Sequence, residues 1–216
     1  DTGLMQVADS GSSGMNAAGA TPDEMTFAYE EVLGDFKAIV RLQNLSGSSQ
    51  SRAGLMLRED DGARARTIWL GSDSLGQLFS QVRTTSNAAA DPEAASALPA
   101  MSFPNCWLRI ERWRDTVRLF ASVDGTTYSQ IGQTVTLPDL AGQVRIGLFT
   151  FGGGTDAGAT AEFADYSLEI ETEPGITNAG VIDNGATHNL TSLGTDDWVI
   201  WGEFDSGTII RKNGGS

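Results

Sequence analysis

Apolar and polar side chains alternate with a period of two over most of the first 170 residues, most regularly between Trp107 and Gln130. In Trp107–Trp113, Leu108 and Ile110 fall on one side and Arg109 and Glu111 on the other. After a break at Arg114-Asp115, Val117, Leu119, Ala121 and Val123 alternate against Arg118, Phe120 and Ser122, up to Asp124-Gly125. Successive side chains of a strand point to opposite faces, so this pattern predicts strands with one buried face. Asp-Gly supplies the positive dihedrals that a two-residue hairpin turn needs, and the stretch reads as a β-meander.

The same reading extends along the chain. Leu4–Val7 is a short apolar stretch, and Asp9–Ala20, rich in Gly, Ser, Asn and Ala, is an extended edge or a loop. Thr26–Glu31 could open a helix, but its neighbours favour a strand, and Asp35–Leu42 puts Phe36, Ala38, Val40 and Leu42 on one side. Asn44–Ser51 is a loop. Ala53–Asp61, Arg66–Leu70 and Gln77–Arg83 follow as strands, with a turn at Asp61-Gly62. Asn87–Pro99 is a long loop with room for one helical turn. Tyr128–Ile131, Gln143–Phe151 and Thr160–Ile170 complete about twelve short strands, which predicts an all-β sandwich.

Charge narrows the partners. Across 216 residues, 28 acidic side chains against 14 basic ones give a net charge of −14. That argues against nucleic acid and against an anionic membrane surface. No apolar run approaches the roughly 20 residues of a membrane span, so no insertion is expected. Lys37 and Lys212 are the only lysines, so the basic set is almost all Arg, suited to planar and stacked contacts. The single cysteine, Cys106, reads as a buried small hydrophobe. The chain begins at Asp1 without a signal peptide, as expected of a processed or cut form. Its Gly/Ser/Thr/Asn-rich, Lys-poor make-up associates it with secreted or cell-surface proteins, of bacterial type.

TFAYEEVLGDFKAIVRLQNL (Thr26–Leu45), AGLMLRED (Ala53–Asp60), WLRIER (Trp107–Arg112), SVDGTTYSQIG (Ser122–Gly132), VRIGLFTF (Val144–Phe151) and AEFADYSLEI (Ala161–Ile170) occur in that order. Together they resemble the concanavalin A-like lectin/glucanase superfamily, and most nearly the bacterial laminin-G-like modules attached to secreted enzymes and surface proteins. The resemblance spans roughly Leu4–Glu171. It implies a jelly roll of two antiparallel sheets, over residues 1–172, that binds glycans in some members and acts as a spacer in others. Such modules usually start with one more strand-like segment than is found before Val7, so the expected sandwich lacks a terminal strand.

Residues 173–216 are too few for an independent domain. They still hold strand-like runs at Val181-Ile182, His188–Leu193, Thr195–Gly202 and Gly207–Arg211, and Asn189–Trp198 resembles the opening of a second β module. Apolar strands without a core of their own gain by joining a sheet edge, and an edge in another copy is a ready partner. The extension is therefore expected to be either a truncated second module or an inter-subunit connector. In the second case Leu190, Leu193, Trp198 and Ile200 would anchor it into a neighbour, and removing Thr177–Ser216 would abolish assembly.

Candidate chemistry is sparse. Glu169, Glu171 and Glu173 alternate, as carboxylates of retaining glucanases in the superfamily do, but they sit where the last strand fades, so a solvated strand end is expected. His188, the only histidine, has no nucleophile placed near it, and one His with one Cys does not make a zinc site. Asp60-Asp61 and Asp196-Asp197 leave a calcium site open as an alternative to ordinary Asp turns. For glycans, Arg58, Trp69, Phe79, Arg83, Arg109, Glu111, Arg118, Phe120 and Arg145 are expected on the sheet face opposite the core. There, aromatic rings could stack on sugars while Arg and Glu bond hydroxyls, or the charges could simply cross-pair. Asn44-Leu-Ser46 and Asn189-Leu-Thr191 fit a glycosylation acceptor pattern. The sequence thus points to a non-enzymatic β-sandwich that is structural or adhesive, with other copies of itself as partners. The alternative is a carbohydrate-binding module of a larger secreted enzyme or surface protein.

Overall fold

In the computed structural model, residues 3–10, 12–15, 22–154 and 158–171 are described, and among them every regular element is a strand. In chain order these are β1 (Met5–Asp9), β2 (Thr26–Leu33), β3 (Asp35–Ser46), β4 (Arg52–Arg58), β5 (Thr67–Ser72) and β6 (Leu78–Arg83). They continue with β7 (Ala94–Ala95), β8 (Cys106–Trp113), β9 (Thr116–Ser122), β10 (Ser129–Thr136), β11 (Gln143–Phe151) and β12 (Ala159–Glu171). They form two antiparallel six-stranded sheets, the first in the order β1-β12-β3-β8-β9-β10 and the second in the order β2-β11-β4-β5-β6-β7. This is the all-β sandwich expected from the alternation, in the form of the two antiparallel sheets that the resemblance implies.

The inner faces close on one core. Phe36, Ala38, Val40 and Leu42 of β3 and Leu108 and Ile110 of β8 meet Leu55 and Leu57 of β4 and Ile146 and Leu148 of β11. Each is at most 4% exposed, so the period-two stripe read from β3 and β8 is the buried one. Cys106 is buried in the same cluster, and burial pushes its thiol up to about 12.

Three local expectations are corrected. The tight turn of the meander is at Arg114-Asp115, because Trp113 pairs with Thr116 across it. Asp124-Gly125 instead lies in the longer loop between β9 and β10, where Ala121 pairs with Ser129. There Asp124 Oδ1 accepts the Thr126 and Thr127 N–H groups, so the Asp-Gly signal marks a side-chain-stabilised loop and not a two-residue hairpin. Within Asn87–Pro99 no helical turn forms; Ala94 and Ala95 add a two-residue strand to β6. Among the described residues, β1 covers β12 only over Ala159–Phe163. The extension, with Leu190, Leu193, Trp198 and Ile200, lies outside the described residues.

Candidate functional site

The residues expected on one sugar-facing sheet divide between two. Arg109 and Glu111 on β8 and Arg118 and Phe120 on β9 belong to the first sheet. Arg58 on β4, Trp69 on β5, Phe79 and Arg83 on β6 and Arg145 on β11 belong to the second. The outer faces of a sandwich point away from each other, so the single platform expected from the sequence is not formed.

On the first sheet the four candidates are brought together by register: Arg109 lies opposite Phe120 and Glu111 opposite Arg118. The Arg109 guanidinium sits between two rings, 4.2 Å from the Phe120 centroid and 4.1 Å from that of Tyr128. Glu111 is shared, with Oε1 3.1 Å from Arg109 Nε and Oε2 2.9 Å from Arg118 Nη2. Alongside, Arg41 lies over the Trp107 ring at 5.3 Å and pairs with Asp165 at 2.7 Å. The face is a lattice of cation–aromatic and charge contacts, each individually modest at a wet surface. Its rings are half-buried, and Arg118 keeps 47% of its side chain in solvent. Burial holds the Tyr128 hydroxyl above its ordinary range.

On the second sheet the outer face is largely covered by the chain itself. Trp69, Met56, Phe149 and Phe151 form a second apolar cluster with Met15 and Ala90, and Met25, Phe27 and Phe79 pack at its margin. Trp69 is 0% exposed, its ring 5.2 Å from Phe149 and 6.0 Å from Phe151, and its indole N–H faces Gln81 Oε1 at 3.3 Å. Arg83 is equally buried and engages both oxygens of Asp23, while Arg58 bonds the same carboxylate. Phe79 carries the Arg52 guanidinium 3.9 Å above its ring, and Arg52 bonds Glu93. Trp69 and Arg83 therefore hold the fold in place of facing solvent.

The acidic candidates do not gather. Glu169 pairs with Lys37, while Glu173 and His188 lie outside the described residues. Asp60 Oδ1 accepts the Gly62 N–H at 2.7 Å within its own turn, and Asp61, 83% exposed, lies 3.5 Å from Arg145. Asp196-Asp197 is outside the described residues. Among the described residues no group of three or more His, Cys, Asp or Glu could hold a metal ion.

Sequence reading missed Asp23, Tyr29 and Tyr128. Asp23 sits in a polar stretch without periodicity, and Tyr128 precedes a strand whose outer neighbours are all polar. Tyr29 lies in the Thr26–Glu31 run, where a strand is favoured over a helix, and alternation there places it beside Phe27 on one face.

The family described as the beta xylosidase C-terminal concanavalin A-like domain matches residues 34–169. Among solved structures, a functionally unknown protein from Saccharomyces cerevisiae is similar over 79% of this chain and 90% of its own, at 23% identity and a TM-score of 0.63. A GH43 protein from Bacillus licheniformis is similar at 15% identity and a TM-score of 0.56, covering 78% of this chain and 33% of its own. A xylan beta-1,4-xylosidase from Bacillus halodurans gives 16% identity and a TM-score of 0.52, over 77% of this chain and 33% of its own. The chain thus corresponds to about a third of each of these two proteins. No curated protein matches the sequence. These identities carry the fold alone. The family match runs from Gly34, between β2 and β3, to Glu169 near the end of β12, so it takes in five strands of each sheet, and the chain belongs to the beta-xylosidase C-terminal concanavalin A-like domain family.

Proposed function

We propose that the chain is a non-catalytic module of a larger secreted carbohydrate-active protein, and that it contacts polysaccharide through the outer face of the first sheet. The observation that carries this reading is the family match over both sheets. It supports a module of this kind over a self-assembling subunit, whose expected anchors lie outside the described residues. On the first sheet, Arg109, Glu111, Arg118 and Phe120 stay adjacent and partly open, whereas Trp69 and Arg83 on the second are sealed. Ring edges beside an arginine–glutamate pair can meet both the apolar and the hydroxyl faces of a sugar.

Affinity electrophoresis of the full chain through gels containing soluble xylan, arabinoxylan or arabinan tests this. Retardation by at least one polymer is expected. Phe120→Ala should weaken it roughly two- to tenfold, the ~0.5–1.5 kcal/mol of one aromatic contact. Mobility unchanged by every polymer, or retardation equal in wild type and variant, would overturn the assignment.

A further inference from the structure

Charge is not balanced evenly across the outer face of the first sheet. On the β12–β3 side each cation has its own carboxylate: Lys37 pairs with Glu169 and Arg41 with Asp165. On the β8–β9 side Arg109 and Arg118 share the one carboxylate of Glu111. Arg109 Nε is shielded from solvent and lies 3.1 Å from Glu111 Oε1 without the alignment of a hydrogen bond, so one carboxylate does not satisfy both arginines. A surplus positive charge therefore remains at this pair, in a chain of net charge −14. Salt at physiological strength screens exposed charges beyond about 8 Å, so the local surplus decides which groups settle here.

The two arginines are not equally open. Arg109 is clamped between the Phe120 and Tyr128 rings, with 19% of its side chain exposed. Arg118 keeps 47% of its side chain in solvent and meets Glu111 through Nη2 at 2.9 Å, while its Nη1 makes no hydrogen bond among the described residues. An exposed ring stands on the same face: Trp113 follows Glu111 by two residues on β8 and is 45% exposed. Glu111 lies opposite Arg118 and Trp113 opposite Thr116, which makes Arg118 the diagonal neighbour of Trp113. Such neighbours are about 7–8 Å apart, close enough for one ligand to touch both. Arg114 approaches the Trp113 ring only to 6.0 Å and leaves it open to solvent.

We infer that Arg118 and Trp113 form an acidic-sugar subsite, which takes a uronate carried by the polysaccharide. The uronate carboxylate accepts from Arg118 Nη1, and the C–H face of an adjoining sugar covers the Trp113 ring. With the uronate in place, two guanidinium groups face two carboxylates, and the surplus charge is matched. The ligand class rests on the polysaccharide reading above, while the preference for an acid rests on the shared Glu111 and the open Arg118.

Amide chemical shifts of the full chain titrated with neutral xylohexaose, and with the same backbone bearing one glucuronic acid, test the subsite. The acidic sugar is expected to bind roughly two- to fivefold more tightly, with shifts centred on residues 111–118. In Arg118→Gln the ratio of the two affinities should fall to about one, whereas Lys37→Gln, which removes the same formal charge from an even pair, should keep it. Trp113→Ala should weaken the acidic sugar roughly two- to tenfold. Equal binding of the two sugars by wild type would overturn the subsite and leave the polysaccharide reading standing. So would a preference that survives in Arg118→Gln, one that is lost equally in Lys37→Gln, or an unaltered titration of Trp113→Ala. Absence of shifts with both sugars would overturn the subsite and that reading together.

Discussion

The Asp23 carboxylate forms a two-pronged ion pair with Arg83, Oδ2 lying 2.6 Å from Nη1 and Oδ1 2.7 Å from Nη2, and neither side chain is more than 2% exposed. Arg58 Nη1 adds a third contact to the same carboxylate at 3.0 Å. Taking charges out of water is costly, and mutual attraction does little more than offset that cost. Removing one partner is different, because the remaining charge stays buried and uncompensated. Asp23→Ala should therefore lower stability by about 3–5 kcal/mol, read as a shift of the urea unfolding midpoint. Glu169→Ala breaks a pair whose Lys37 is 28% exposed and can rehydrate, and should cost less than ~1 kcal/mol. Equal losses for the two variants would mean that the Asp23 cluster is not holding the second sheet's cover in place.

Where one face of a strand is wet, the sequence is readable. β3 and β8 bury alternate residues, so their core stripe and their outer residues are legible from period two alone. The same holds for the Arg109, Glu111, Arg118 and Phe120 group, because a two-residue turn sets its register. β4 and β5 are buried on both faces, and alternation there says nothing about which face is open. The cover over Trp69 comes from Met15 and Ala90, distant in the chain and lying in stretches without periodicity. Asp23 is 60 residues from Arg83, and nothing local in the sequence joins them.

Trp69 tests that distinction. Its ring fills a closed cluster with Phe149 and Phe151, so Trp69→Ala removes packed volume that the surrounding backbone cannot collapse to fill. A loss of about 3–5 kcal/mol is expected in thermal or urea unfolding. At a temperature where the variant remains folded, its retardation by polysaccharide should match that of wild type. Weaker retardation of folded Trp69→Ala would return this residue to the contact surface and contradict its burial.

The meander contains two left-handed residues with opposite consequences. Gly125 has φ +72°, and a Cβ there would meet the Trp107 ring at 2.8 Å. Gly125→Ala combines backbone strain with overpacking and should destabilise by about 1–3 kcal/mol. Arg114 adopts φ 53° in the tight turn although it carries a side chain. Arg114→Gly relieves the ~1–2 kcal/mol of a left-handed non-glycine and loses the ~0.5–1 kcal/mol of glycine's extra chain entropy. The net expectation is a small gain, read as a raised thermal midpoint. A neutral Gly125→Ala would show that the Trp107 ring moves aside freely.

Stability should form a plateau bounded by particular groups. The Arg66 hydrogen bond holds the Glu59 carboxyl below its usual range, and the Thr127 and Thr126 amides hold Asp124 well below it. A carboxylate depressed in the fold contributes stability above its unfolded value, roughly 4, and loses it as pH falls through the folded value, so the acid limb lies below about pH 4. Cys106 sets an alkaline limb with the opposite sense. Burial pushes its thiol up to about 12, so the folded state keeps a proton that the unfolded chain releases from roughly pH 8.5 upward. Stability must then fall as pH rises between those values. Cys106→Ala removes this contribution at the cost of some packing, so its urea midpoint should start below that of wild type at pH 7 and converge toward it by pH 11. Midpoints that run parallel from pH 7 to pH 11 would show that the Cys106 thiol ionises as readily in the fold as in the unfolded chain.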